Sequence, residues 1–551
     1  MTALPASRPC PRHAYASIRA GADSVVLAKA LGQSAVELGD IVRDSSALCR
    51  VECAGGFVGI AVERPSVINS LPASRYSHGH RSNIRSSSSQ FLLSREDDMP
   101  SAVENKPTVI SLAEDLAAGR TTSCELVERA LARIADPTGE GARTFIKAYI
   151  DAARAAADAH DRLRAAGYVA SPLAGLPVSI KDLFDVAGER TLAGSKALDD
   201  MSPAERDAPV VARLRVAGAV LIGRTNMTEF AFSGVGINPH YGTPGNPADR
   251  RCIPGGSSSG AAVSVADGAA IVAIGTDTGG SVRIPAALCG IVGFKPTQDR
   301  ISRAGATPLS TTLDSIGPLA NSVACCAIAD AVMAGDEPVV PSAVAVDRLC
   351  LAVPQSLVLD DLAPEVATAF QNACSRLSRA GARVVDLPLT ELGEYRTLNA
   401  RGGFAPIEAF AWHRPLLARR GSDYDPRVRS RIERGGSMTA VEYIELAAAR
   451  ADLIARVAAR TADFDALLMP TVAIMAPPIA AFAADEDYFR LNALILRNTS
   501  VINFLDRCAI TLPIHQPGRM PVGLMVVGEH GDDRRLLAVA AGIETAIPVS
   551  I

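Results

Sequence analysis

From about Val109 onward, apolar residues recur at intervals that specify secondary structure, whereas the first hundred residues show no sustained period. Leu126, Val127, Ala130, Leu131 and Ile134 fall on one helical face. They follow Thr122-x-x-Glu125, a capping-box pattern in which side chains and backbone N–H groups satisfy one another. Ser111-x-x-Glu114 offers the same signal earlier. An Ala-rich helix is predicted over Asp151–Ala166, ending at Gly167, and a short apolar strand over Leu176–Ile180.

A helix–glycine–strand grammar then appears twice. Pro209–Ala217 has helical spacing, Gly218 suits a left-handed cap, and Ala219–Ile222 reads as a buried strand. Arg348–Val353, Pro364–Ala380, Gly381 and Ala382–Leu387 read as strand, helix, cap and strand, a βαβ unit. Pro521–Val527 is a further strand, followed by a helix over Asp533–Glu544. Such alternation predicts an α/β protein with a mixed or parallel sheet covered by helices.

Composition narrows the class. The 551 residues are 48% apolar and 21% charged, with a formal charge of −4. That balance gives no electrostatic basis for binding nucleic acid or anionic membranes. The longest apolar stretch, Ala261–Gly275, is interrupted by Asp267 and Gly268, so no membrane span is expected. Eleven cysteines lack a repeated CxxC, and Cys325-Cys326 sits in an apolar, helix-like run suited to packing. Reduced thiols and a cytoplasmic location are expected. The eight histidines form no HExxH and no tight cluster with cysteine, so no metal is expected.

Residues 1–98 read as a poorly ordered N-terminal extension, richest in Ser and Arg over Ser74–Ser94. Glu37, Asp40, Asp44 and Glu52 do not suit a transit peptide, and Met99 is a candidate initiator. The folded domain is assigned to 107–551.

Candidate chemistry concentrates between Pro254 and Thr297, where GGSSSG and GTDTGGS bracket a small-residue segment. Ala261–Ala270 suits a closely packed helix, and Ile271–Ile274 a strand delivering the second loop at its carboxyl end. Consecutive glycines such as Gly279-Gly280 can turn backbone N–H groups toward one anion, a phosphate or an oxyanion. The phosphate reading lacks the Walker lysine and the GxGxxG pattern. An α/β-hydrolase reading would centre GxSxG on Ser258, with His413, His515 or His530 downstream, but Asp249–Pro254 precedes it instead of a strand. A purely structural reading, tight turns around small residues, is the remaining alternative.

The block resembles that of the amidase signature family, and the resemblance runs from about Val109 to Glu544. It includes GRTNMTEFAF at Gly223–Phe232 and PVGLMVVG at Pro521–Gly528. It implies a large mixed central β-sheet covered by helices on both faces. Lys181 in LPVSIKD matches the family's catalytic lysine, Ser257 its bridging serine and Ser281 its acyl-accepting serine. Ser259 departs from the pattern, where the family usually has glycine. The resemblance further implies a cis Gly256–Ser257 peptide, oxyanion donors from the N–H groups of Thr278, Gly279, Gly280 and Ser281, and Ala231 near the acyl pocket.

Those residue types make chemical sense. A serine hydroxyl needs a base to take its proton during attack. Lysine serves only when neutral, and bringing its pKa from about 10.4 to near 7 takes about 4 kcal/mol. Burial could supply this, provided Asp182 points to the opposite face of an extended Ser179–Asp182. Asp277 and Arg283 flank Ser281 and suit a supporting polar network, or Arg283 a substrate carboxylate. His240 reads as a structural loop histidine.

The expected function is hydrolysis of a linear carboxamide through an acyl-enzyme on Ser281. One alternative is the glutamine-hydrolysing component of a tRNA-dependent amidotransferase; another is a catalytically silent binding protein on the same fold. The partner expected is a small-molecule amide. No organic cofactor is implied, and a homodimer is allowed for.

Overall fold

Eleven strands form one sheet in the larger of the two units into which the chain divides, Met1–Asp97 and Asp98–Ile551. The computed structural model describes residues 106–547, together with the backbone of 50–54 and 57–61. In the first unit Arg50–Ala54 pairs antiparallel with Phe57–Ala61. The rest of the extension expected over 1–98, including Ser74–Ser94, lies outside the described residues.

The sheet strands are β1 (Phe145–Ala148), β2 (Pro177–Lys181), β3 (Val220–Thr225), β4 (Val272–Asp277), β5 (Val292–Lys295) and β6 (Ser315–Ala320). They continue with β7 (Cys350–Pro354), β8 (Arg383–Leu387), β9 (Ala466–Pro470), β10 (Ala509–Pro513) and β11 (Gly523–Val527). Their order is β8-β7-β9-β11-β10-β5-β6-β4-β2-β3-β1. Parallel pairing joins β8, β7 and β9 at one end and β4, β2 and β3 toward the other. The strands between them, and β1 at the edge, pair antiparallel. The sheet is therefore mixed, and the βαβ unit read from β7 and β8 is parallel, with helix Pro364–Arg379 between its strands.

Alternation along the strands divides the core between two faces. Val178, Ile180, Val272, Ile274, Leu468, Ile510 and Val526 join one large apolar cluster. Their neighbours go elsewhere: Ala273, Val220 and Ile222 to a second cluster, and Met469, Met525 and Val527 to a third. Both faces are thus covered, as near-continuous apolar strands require.

Two local readings change. The first helix, Val109–Ala117, is capped by Thr108 rather than Ser111: Thr108 Oγ1 accepts from Ser111 N at 3.1 Å, and Ser111 Oγ accepts from Thr108 N at 3.0 Å. The hydroxyl immediately before the first apolar residue wins, and serine does the back-bonding that glutamate usually does. The small-residue helix is Ser259–Ala266 rather than Ala261–Ala270, and its strand runs on to Asp277. Gly268, at φ +70°, ends the helix early. Helices Phe404–Arg420, Pro426–Arg434, Ala440–Thr461 and Asp485–Phe504 carry no strong sequence signal and complete the cover.

Candidate active site

Lys181 is the last residue of β2 and is fully buried. Its Nζ donates to Ser257 Oγ at 2.7 Å and to Thr276 Oγ1 at 2.9 Å. Burial lowers its pKa to about 7, against the pull of Asp314 and Asp277 toward the ammonium form. Asp182 points away from this amine: its Oδ1 accepts from Arg224 Nε at 2.7 Å and its Oδ2 from Gly194 N at 3.0 Å.

Ser257 follows a cis Gly256–Ser257 peptide and is held by Thr228 N, which donates to its carbonyl at 3.0 Å. The approach is close, for a Cβ on Gly256 would come within 2.5 Å of Gly236 N. Ser281 lies in the turn between β4 and helix Arg283–Cys289. Its carbonyl accepts from Ser258 N at 3.2 Å, which ties the two glycine loops together. The hydroxyls of Ser257 and Ser281 are not hydrogen-bonded to one another in this conformation, so only the lysine–serine half of the relay is formed.

The second loop is built around Asp277. Its Oδ1 accepts from Gly280 N at 2.8 Å and its Oδ2 from Val282 N at 3.1 Å. The Gly280 N–H is thus engaged, whereas among the described residues those of Thr278, Gly279 and Ser281 have no protein acceptor. From helix Asp485–Phe504, Thr499 Oγ1 and Ser500 Oγ donate to Gly279 O at 2.6 and 3.0 Å. Burial alone would raise the Asp277 carboxyl, but Arg283, Lys295 and Asn503 together hold it below its usual range. Arg283 spends its donors on Asp277, Thr499 O and Asn503 Oδ1, which leaves it a structural partner rather than a carboxylate receptor.

A cavity of about 350 Å³ opens beside this loop, lined among others by Ala231, Thr276, Thr278, Arg303, Asp314 and Ile316. Thr276 and Asp314 were missed in the sequence. Thr276 had a usable signal, since it belongs to the GTDTGGS motif. Asp314 had none, being a lone acid in an ordinary loop.

The other candidates resolve as structure. Ser258 donates weakly to Thr276 O at 3.4 Å, and His413 pairs with Tyr424 Oη at 2.9 Å, so the hydrolase elbow has no histidine partner here. His240 Nε2 lies 2.8 Å from Glu229 Oε1, a carboxylate that also accepts from Ser195 Oγ at 2.6 Å and Asp425 N at 2.7 Å. Ser259 heads its helix with the hydroxyl 3.5 Å from Asn226 O, so the loop accommodates the departure from glycine. Cys325 and Cys326 are buried free thiols in helix Val323–Ala334. Among the described residues no three His, Cys, Asp or Glu side chains are grouped to hold a metal, and no helix is long and apolar enough to cross a membrane.

A family model described as Amidase matches residues 125–537. The chain is 40% identical over 402 residues to 2-amino-5-chloromuconic acid deaminase of Comamonas testosteroni, covering 72% of this chain and 86% of that one. It is 35% identical over 466 residues to the GatA-type component of glutamyl-tRNA(Gln) amidotransferase from Roseiflexus sp. (strain RS-1), covering 78% and 94% respectively. A crystal structure of an amidase superposes with a TM-score of 0.73 at 34% identity, over 80% of this chain and all of the other.

Proposed function

This chain belongs to the amidase family and is a hydrolase of amide C–N bonds; from that premise we propose that it cleaves a linear carboxamide through an acyl-enzyme on Ser281, with Lys181 and Ser257 as the proton relay. The observation that carries the reading is the 2.7 Å contact of Lys181 Nζ with Ser257 Oγ, where burial keeps the amine close to neutrality at pH 7. A lysine so placed is a base, and its neighbour is the group through which a second serine can be deprotonated.

The Ser281 hydroxyl turns about its one side-chain torsion to meet Ser257 Oγ. Ser257 takes the Ser281 proton while passing its own to Lys181, and Ser281 Oγ attacks the carbonyl carbon. Negative charge on the former carbonyl oxygen is met by the N–H groups of Thr278, Gly279 and Ser281, that of Gly280 being held by Asp277. Collapse breaks the C–N bond, and the Lys181 proton returns through Ser257 to the departing amine. Water then repeats the attack on the ester and releases the acid. The described cysteines are free thiols, which supports a reducing, cytoplasmic setting for this activity.

The deciding experiment screens purified protein against an amide library, with intact-mass detection of an acyl adduct on Ser281. Ser281→Ala should lose both turnover and adduct; wild-type turnover in that variant would refute the nucleophile. The similarity to an amidotransferase component supports a second reading, glutamine hydrolysis within a larger assembly. Release of ammonia from glutamine only when partner proteins are added would favour it.

A further inference from the structure

Resting on the amidase reading, we propose that Asp314 is a positioning residue, whose carboxylate pins the Thr278 end of the anion-binding loop to the cavity wall and biases the proton affinity of Lys181. Asp314 Oδ1 accepts from Thr278 Oγ1 at 2.5 Å, while Oδ2 accepts from Leu309 N at 2.9 Å and Ser310 N at 3.0 Å. One carboxylate therefore cross-links the loop that offers N–H groups to an oxyanion and the segment that walls the cavity beside it. The next residue continues the join: Ser315 Oγ donates to Asp277 O at 3.0 Å, and the two are register partners across β6 and β4.

The wall is latched from its outer side as well. Glu408, on helix Phe404–Arg420, accepts from Ser310 Oγ at 2.5 Å, Thr312 N at 3.1 Å and Tyr443 Oη at 2.8 Å. Ser310 is thus gripped between two carboxylates, and Asp314 is the one facing the chemistry.

Charge sets it apart from the other acid nearby. Asp277 is neutralised by Arg283 in direct contact. Asp314 has hydroxyl and amide donors but no cation within salt-bridge distance among the described residues. The charged groups that face it are Lys181 from β2, Arg303 from the preceding loop and Glu408 through the shared Ser310. Burial pushes its carboxyl up to about 6, with Arg303 pulling it back down. Of the two acids that draw Lys181 toward the ammonium, Asp314 has the larger effect. The ammonium is the form Lys181 takes as Ser281 attacks, so a carboxylate here makes the relay a stronger base than burial alone would leave it.

The test compares wild type, Asp314→Asn and Asp314→Ala by the pH dependence of kcat/KM and kcat, alongside nitrogen NMR titration of the Lys181 amine. Asn keeps the acceptor oxygen and removes the charge. It should move the acid limb of kcat/KM, and the Lys181 titration with it, down by about one pH unit. KM should stay within about threefold, the acceptor oxygen still holding the cavity wall. Ala also removes the hydrogen bonds and should cost at least about tenfold more in plateau kcat, through a displaced loop. Coincident acid limbs and Lys181 titrations for wild type and Asp314→Asn would overturn the proposal. If wild type turns over no amide at all, the amidase reading fails, and the NMR titration still decides the role of Asp314.

Discussion

Arg283 closes a bidentate pair on Asp277, with Nε 3.0 Å from Oδ2 and Nη2 2.9 Å from Oδ1, and neither side chain reaches solvent. The same carboxylate takes the backbone N–H of Gly280 and Val282, so the ion pair stands directly behind the anion-binding loop. Its function is to hold backbone, and its charges are consumed in doing so.

Breaking that pair from one side should therefore be severe. Arg283→Met leaves a buried carboxylate without its cation, which typically costs about 3–5 kcal/mol. Adding Asp277→Asn should recover part of the loss in thermal stability but not the turnover. A double-mutant cycle read by chemical denaturation checks this; additive effects would mean that the two side chains do not act as a pair.

Lys181 should trade stability for chemistry. Its shift from 10.5 to about 7 corresponds to about 5 kcal/mol of burial cost, offset by hydrogen bonds worth about 1 kcal/mol each. Lys181→Met is expected to abolish turnover and unfold at a higher temperature. The sign follows from proton binding: between about pH 7 and 10.4 the unfolded chain holds this proton and the folded chain does not, so wild-type stability rises with pH. The gap between the two proteins should narrow over that window and be widest below it.

The rate should follow the same group. kcat/KM is expected to rise with one proton's dependence through about pH 7, where Lys181 becomes neutral. A profile flat from pH 5 to 9 would rule out the lysine as the base.

Ser257→Ala removes the hydroxyl at 2.7 Å from Lys181 and leaves the amine only Thr276. Turnover should fall by about 10²–10⁴-fold, the range for loss of positioned proton transfer. The Ser281 acyl adduct should still form, slowly, with an activated ester, as intact mass will report.

Gly280 tests the loop's shape. Its φ is +125°, and a Cβ there would lie 2.1 Å from Thr499 Oγ1. Gly280→Ala should cost about 10²-fold in kcat/KM by displacing the N–H donors. Adding Thr499→Ala should relieve the clash but not the backbone strain, so recovery is partial.

Much of this molecule is legible in the order of its residues. Thr122-x-x-Glu125 predicts its own cap because the partners are three residues apart. The apolar strands β2, β4 and β7 announce themselves because burial on both faces demands it. Lys181, Ser257 and Ser281 stand out because each lies in a motif. What lies between motifs is silent. Thr499, Ser500 and Asn503 support the anion-binding loop from a helix more than 200 residues away in sequence, as their bonds to Gly279 and Asp277 show. Asp314 is one acid among many until folding sets it beside Thr278. The sequence alone therefore determined the class of fold and the identity of the reacting groups, which local periodicity and composition encode. Only the tertiary structure decided which donors are free, which charges are cancelled and how basic the lysine is. Those depend on distance and dielectric, and neither exists until the chain has closed around them.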